Sequence, residues 1–164
     1  MDLDAFRIKA GKEKDELVGF LNELQEQMPA DLPDIVRQAD TAAWKEVQCL
    51  DCANCCKTMT PAFTQEDITR IATHLRMKPA TFKEKWLKLE PKSGHWVNTT
   101  QPCQFLLADN KCSIYEVRPA DCAEFPHHDK QPFNEYSDTF KKNVVHCPAT
   151  NAFVRLLSSY DGLK

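Results

Sequence analysis

The sequence predicts a mainly α fold with a small β-hairpin, in which helices flank an irregular, cysteine-rich core. Three observations carry this expectation. Apolar residues recur three or four positions apart in several stretches, which places them on one side of a helix. Between His95 and Tyr115 that period gives way to aromatic and aliphatic residues on either side of a turn-prone Asp109-Asn110 pair. The eight cysteines lie largely in segments poor in either pattern.

In chain order, Leu17, Leu21, Leu24 and Met28 define one face of a first helix over Lys12 to Met28, which Pro29 ends. Asp31 is placed to cap a second helix, and Pro33 suits its first turn. Ile35, Val36, Ala39, Ala43 and Val47 carry that helix towards Cys49. Thr64 and Asp67 have the Thr-x-x-acid spacing of a helix start, and Ile68, Ile71, Ala72 and Leu75 continue it. A further helix begins near Pro79, with Phe82, Trp86 and Leu89 on one stripe, and the chain breaks at Pro91 to Gly94. The hairpin follows. Its arms carry Cys103 and Cys112, so a tight turn brings two thiols towards each other. A closing helix from Pro148 presents Phe153, Leu156, Leu157 and Tyr160 before Gly162. A chain of 164 residues fits one domain. Its expected parts are an N-terminal helical segment 1–46, a cysteine-cluster region 47–150, and a C-terminal helix 151–164 packing on the same domain.

Charge narrows the partners. A formal net charge of -3 and a pI near 5.9 provide no basic footprint for phosphate, so no nucleic-acid partner is expected. No stretch approaches the roughly 20 apolar residues that span a bilayer, and no membrane partner is expected. The N-terminus lacks the apolar run of a secretory signal, which predicts a cytoplasmic protein. Reductants there keep thiols free unless a metal or a catalytic cycle claims them. Eight cysteines in 164 residues, about 5%, also fall below the roughly 8–10% of disulfide scaffolds. A metal ion is the leading expectation.

Cys49, Cys52, Cys55 and Cys56 form Cys-x-x-Cys-x-x-Cys-Cys, with Cys103, Cys112, Cys122 and Cys147 far downstream. A two-residue gap lets a turn aim two sulfurs at one ion, with metal–sulfur distances of about 2.3 Å for zinc. Neighbouring Cys55 and Cys56 diverge from the backbone, so they serve different centres or one of them is not a ligand. The first two gaps equally match those of bacterial iron–sulfur runs, and Cys147-Pro148 echoes their final dipeptide. Zinc, iron and a 4Fe–4S cluster therefore all stay open, as does a labile vicinal disulfide between Cys55 and Cys56. His127, His128 and His146 lie close enough to Cys122 or Cys147 in sequence to act as auxiliary ligands. Glu116, Asp121, Glu124 and Asp129 offer oxygen near Cys122. Arg118, ahead of Pro119, provides fixed positive charge for thiolates or a carboxylate. No hydrolytic triad, phosphate-cradling loop or dinucleotide fingerprint can be assembled.

Three segments together resemble a known family. They are Cys49-Leu-Asp-Cys-Ala-Asn-Cys-Cys56, then Pro102-Cys-Gln-Phe-Leu106 with Lys111-Cys-Ser-Ile-Tyr-Glu-Val-Arg-Pro119, and Asp121-Cys-Ala-Glu-Phe-Pro126. The combination is similar to the CxxCxxCC or YkgJ-type cysteine-cluster proteins, described as zinc- or iron-chelating domains, over roughly residues 47 to 150. The resemblance implies that Cys49, Cys52, Cys55, Cys56, Cys103, Cys112 and Cys122 are ligands, with Cys147 added. Because the same cluster is associated with a flagellin lysine N-methylase, it also implies an alternative, a methylase-like or thiol redox enzyme. Members often place Gly after the second cysteine and a basic residue after the later one; here Ala53 and Ala123 stand there. A left-handed residue in the first loop is expected at Asn54 rather than Ala53.

Overall fold

The computed structural model describes residues 1–160 and 163. It is mainly helical with a small antiparallel sheet, the predicted class. The elements run α1 (Leu3–Glu26), α2 (Leu32–Glu46), α3 (Cys49–Cys52), α4 (Asn54–Thr58), β1 (Ala62–Phe63), α5 (Gln65–His74) and α6 (Pro79–Trp86). They continue with β2 (Leu87–Leu89), β3 (Trp96–Asn98), a 3-10 turn at Tyr115–Val117, α7 (Ala120–Glu124), α8 (Phe133–Asn143) and α9 (Pro148–Ser158). Two compact units result, one from residues 1–52 and 126–164, the other from 53–125.

The first unit is a helical assembly in which α2 and α1 pack on α9 and α8 joins them. Of the predicted stripe, Leu17, Leu21 and Leu24 are buried, whereas Met28 lies beyond the end of α1 and is exposed; Val36, Ala39 and Ala43 of α2 and Phe153 and Leu157 of α9 are buried too. Each fully buried Leu or Phe contributes about 1.5–3 kcal/mol, so these faces outweigh the modest helix propensities of the chain. Helix α1 starts nine residues before the expected Lys12, because the Asp2 carboxylate accepts the N–H groups of Asp4 and Ala5, each at 3.0 Å. Helix α8 was not expected from the sequence. Its signal was present in Phe133, Tyr136 and Phe140, of which Phe133 and Phe140 are fully buried, but the intervening Asn, Glu, Ser and Asp obscured it. The expected stop of α9 at Gly162 lies outside the described residues.

The second unit is built on an aromatic cluster. Phe82 stacks on Phe105 with centroids 6.2 Å apart, and Trp86 packs edge-on to both, at 5.2 and 5.3 Å. Ile68, Ile71 and Ala72 of α5 complete it, as their spacing predicts. The Thr64 capping box is formed: its hydroxyl accepts the Asp67 N–H and the Asp67 carboxylate accepts the Thr64 N–H, both at 3.0 Å. Helix α6 ends at Trp86, which corrects the expected stripe through Leu89. Leu87–Leu89 instead pairs with Trp96–Asn98 in a three-stranded sheet ordered β1-β3-β2, and Leu89 is exposed. Ladder hydrogen bonds to β3 override the helical period there. The Pro91 to Gly94 break is thus the turn of a β2–β3 hairpin, with Gly94 taking a φ of 71°. The hairpin expected around Asp109-Asn110 is reduced to one antiparallel bridge between Leu106 and Cys112, its turn closed by Asn110 at φ 66°.

Candidate metal centre

The cysteines divide between the units. Cys49, Cys52 and Cys147 belong to the first, and Cys55, Cys56, Cys103, Cys112 and Cys122 to the second.

In the second unit, four short segments carry the sulfurs. Helix α4 holds Cys55 and Cys56, whose sulfurs lie 4.0 Å apart. The Cys103 N–H donates to the Cys56 carbonyl at 2.8 Å, which fixes the downstream loop beside α4. Cys112 sits at the Leu106 bridge, and both Cys103 and Cys112 pack against the aromatic core. Cys122 lies on α7. That turn is tied down at two points: the Asp121 carboxylate accepts the Ala62 N–H at 2.9 Å, and Asp67 accepts the Ala120 N–H at 3.1 Å.

Electrostatics links these sulfurs. Burial pushes the Cys122 thiol up, and negative charge on Cys56, Asp121, Cys103 and Cys112 pushes it further. The residue is itself exposed, so the desolvation comes from the packed surroundings of its sulfur. Burial likewise raises Cys103, with Cys56 adding to it, and raises Cys112, with Cys103 and Cys56 adding. Cys56 alone moves the other way, to about 7, because the Cys55 thiol hydrogen-bonds to it. Cys56, Cys103, Cys112 and Cys122 are therefore mutual neighbours whose thiolates repel, an arrangement that a cation relieves. Among the described residues, no group of three or more His, Cys, Asp or Glu side chains is arranged to hold an ion as it stands. The segments meet within electrostatic range of one another, and the donor set is all sulfur, which suits zinc or iron rather than a hard cation.

In the first unit, burial raises the Cys147 thiol, which hydrogen-bonds to the Thr150 side chain and feels the charge of Cys52. Cys147 occupies the N-cap position of α9. Cys49 is exposed and Cys52 buried, both on α3.

The other candidates are placed as follows. His128 is buried with both ring nitrogens engaged, Nδ1 with Asp40 at 2.8 Å and Nε2 with Thr150 at 3.1 Å, and its ring stacks on Phe153 at 4.1 Å. It is a core residue, and ligation would break one of those bonds. Burial lowers its pKa against the raising effect of Asp40. Arg118 donates to the Tyr115 carbonyl at 2.7 Å and lies over the Tyr115 ring at 3.9 Å, while its charge favours the Cys112 thiolate. Asp121 serves α7 through the Ala62 N–H. Ala53 itself adopts the left-handed conformation, at φ 49° and ψ 19°, which corrects the expectation for Asn54. Asn54 is instead buried at the start of α4. Sequence reasoning missed Asn98, buried ahead of Cys103, and half-buried Gln104 beside it, whose Nε2 donates to the Asn98 Oδ1 at 3.0 Å.

A mainly helical fold with sulfurs gathered from four short segments defines a cysteine-cluster protein. The chain belongs to the CxxCxxCC family, whose model, described as a "Putative zinc- or iron-chelating domain", matches residues 48–148. No curated protein and no solved structure matches it. The matched span contains all eight cysteines. No described helix is long and apolar enough to cross a membrane.

Proposed function

We propose that the protein is a metal-stapled cysteine-cluster protein that binds zinc on Cys56, Cys103, Cys112 and Cys122, with Cys52 and Cys147 available to a separate centre. The observation that carries this reading is the bonding that draws the cysteine segments of one unit together: the Cys103 N–H donates to the Cys56 carbonyl at 2.8 Å, the Leu106 N–H donates to the Cys103 carbonyl at 3.0 Å, and Leu106 bridges to Cys112. The charges of these sulfurs and of Cys122, raising one another's thiols, support it. Zinc is favoured because four thiolates meet its tetrahedral preference, and the segments are short and irregular, so binding energy becomes folding energy. Cys56 ionises first, and Arg118 offsets charge beside Cys112.

Purification without oxygen, followed by metal analysis and a visible spectrum, tests the proposal. Stoichiometric zinc in a colourless protein is expected. Cys56→Ser, Cys112→Ser and Cys122→Ser should each lose that zinc. A brown protein containing iron and sulfide would replace zinc by an iron–sulfur cluster, and a protein that takes up neither metal would overturn the reading.

A further inference from the structure

We propose that Cys55 and Cys56 form a reversible, peroxide-sensitive dithiol: an oxidant of the hydroperoxide class joins their sulfurs as a vicinal disulfide and so withdraws Cys56 from the ion. The withdrawal rests on the zinc reading, in which Cys56 is a ligand and Cys55 lies outside the set of four. The joining of the two sulfurs does not.

Neighbouring side chains leave a helix about 100° apart, so two consecutive cysteines ordinarily aim at different surroundings. In α4 they do not: their sulfurs lie 4.0 Å apart, one thiol donating to the other sulfur. Both residues are half-buried, which leaves them open to a molecule as small as hydrogen peroxide. The helix that holds them is easily opened. It has five residues, tied at its ends by the Lys57 N–H to the Ala53 carbonyl at 3.2 Å and the Met59 N–H to the Cys55 carbonyl at 2.8 Å. A helix this short has little stability of its own. A bridge between consecutive residues is strained, because Cα atoms across one peptide unit are about 3.8 Å apart, whereas ordinary disulfides span about 4.4–6.8 Å. Strained disulfides are the labile ones, so a reductant resets this one.

The Cys56 thiolate attacks one peroxide oxygen; the O–O bond breaks, hydroxide leaves, and Cys56 becomes a sulfenic acid. The Cys55 sulfur then attacks the Cys56 sulfur, the S–O bond breaks, and water leaves with the Cys55 proton. Each sulfur gives up one electron, and the peroxide takes both to become hydroxide and water. Bridged Cys56 is no longer a thiolate, the form that binds metal. Its carbonyl also holds the Cys103 N–H at 2.8 Å, so the opening of α4 slackens the loop that carries Cys103. Cys49 and Cys52, three residues apart on α3, are the competing pair for the same oxidant.

Zinc-loaded protein treated with hydrogen peroxide beside a chromogenic zinc chelator tests this. Free thiols are then alkylated, and the tryptic peptide 46–57, which carries Cys49, Cys52, Cys55 and Cys56, is sequenced by mass spectrometry. The expected result is zinc release together with a peptide alkylated at Cys49 and Cys52, unalkylated at Cys55 and Cys56, and lighter by two hydrogens at that pair. Dithiothreitol should return both thiols and the uptake of added zinc. Cys55→Ser removes the resolving thiol, so dimedone, which traps sulfenic acids, should label Cys56 in the variant and not in wild type. If the variant does not fold, the wild-type map decides alone. Zinc lost while Cys55 and Cys56 are still alkylated, or with Cys56 carried on to a sulfinic acid beside an intact Cys55, would overturn the inference and leave the zinc reading standing. A protein that purifies without zinc would overturn the zinc reading, and the same map on that protein would still decide whether the two sulfurs join.

Discussion

Ala53 shows how a single residue fixes the geometry of the first cysteine loop. It is a non-glycine residue at φ 49°, immediately after Cys52 and 5% exposed. The left-handed conformation costs an L-residue roughly 1–2 kcal/mol, which glycine would avoid. Glycine also forfeits a buried methyl group, worth about 0.8 kcal/mol, and loses more chain entropy on folding, about 0.5–1 kcal/mol. These effects nearly cancel. Ala53→Gly should therefore leave the unfolding free energy measured by urea titration within about 1 kcal/mol of wild type. Ala53→Val should cost about 2 kcal/mol or more, because a β-branched residue is a severe outlier at positive φ and the site is already packed. Equal midpoints for the two variants would show that the loop relaxes out of this conformation. The departure from glycine was readable in the sequence, but the residue that takes the left-handed turn was not. Intrinsic preference pointed to Asn54, whereas Asn54 is needed as a buried helical residue whose carbonyl accepts from the Thr58 hydroxyl at 2.8 Å.

At the scale of elements, Asp67 couples two of them. It closes the capping box of α5, accepts the Ala120 N–H of α7, and pairs with Arg70 at 2.6 Å, while Arg70 also donates to the Arg118 carbonyl at 2.9 Å. A helix cap thereby anchors the turn that carries Cys122. Burial alone would raise the Asp67 carboxyl, but the Thr64 and Ala120 N–H groups, the Thr64 hydroxyl and Arg70 together hold it below its usual value. The sign of the pH effect follows. A depressed folded-state carboxyl stabilises the fold fully above the usual carboxylate value, about 4, and that contribution fades as pH falls through it towards the folded value. Asp67→Asn should lower stability at pH 7 and flatten the loss of stability below about pH 4, as measured by thermal unfolding across pH 2 to pH 7; an acid limb parallel to wild type would refute the assignment. The capping box was legible because its two partners lie three residues apart. The bond to Ala120 was not, since it spans 53 residues. The same distinction explains why α5 was found in the sequence and the β2–β3 hairpin was not. Local capping is written in adjacent residues, whereas the strand at Leu87–Leu89 exists only because β3 comes back to pair with it.

At the scale of the whole molecule, the two units differ in what holds them together. The first buries long apolar faces of α1, α2, α8 and α9 against one another. The second has a smaller aromatic core and several segments without regular structure, and these carry Cys103 and Cys112 and lead into Cys122. The cysteine motif made a metal-binding region legible, but not the partition of its sulfurs. Which thiols become neighbours depends on contacts such as Cys103 to Cys56, 47 residues apart, that no spacing rule encodes. The partition has a measurable consequence. If the ion staples the second unit, removing it takes folding energy from residues 53–125 and leaves the apolar core of the first unit intact. Hydrogen exchange on the purified protein, before and after a strong chelator, should then show amides of α4, α7 and the 99–119 loop losing protection by about 100-fold or more, equivalent to about 2.7 kcal/mol or more of local stability. Amides in α1, α2 and α9 should keep theirs within a few fold. Loss of protection spread evenly over both units would mean that they unfold as one cooperative block, and unchanged protection in α4 and α7 would mean that no ion holds them. The aromatic core sets the limit of the effect: Ile68 and Ile71 on α5 are fully buried against Phe82 and its neighbours, so α5 should lose less protection than the cysteine-bearing loops that surround it.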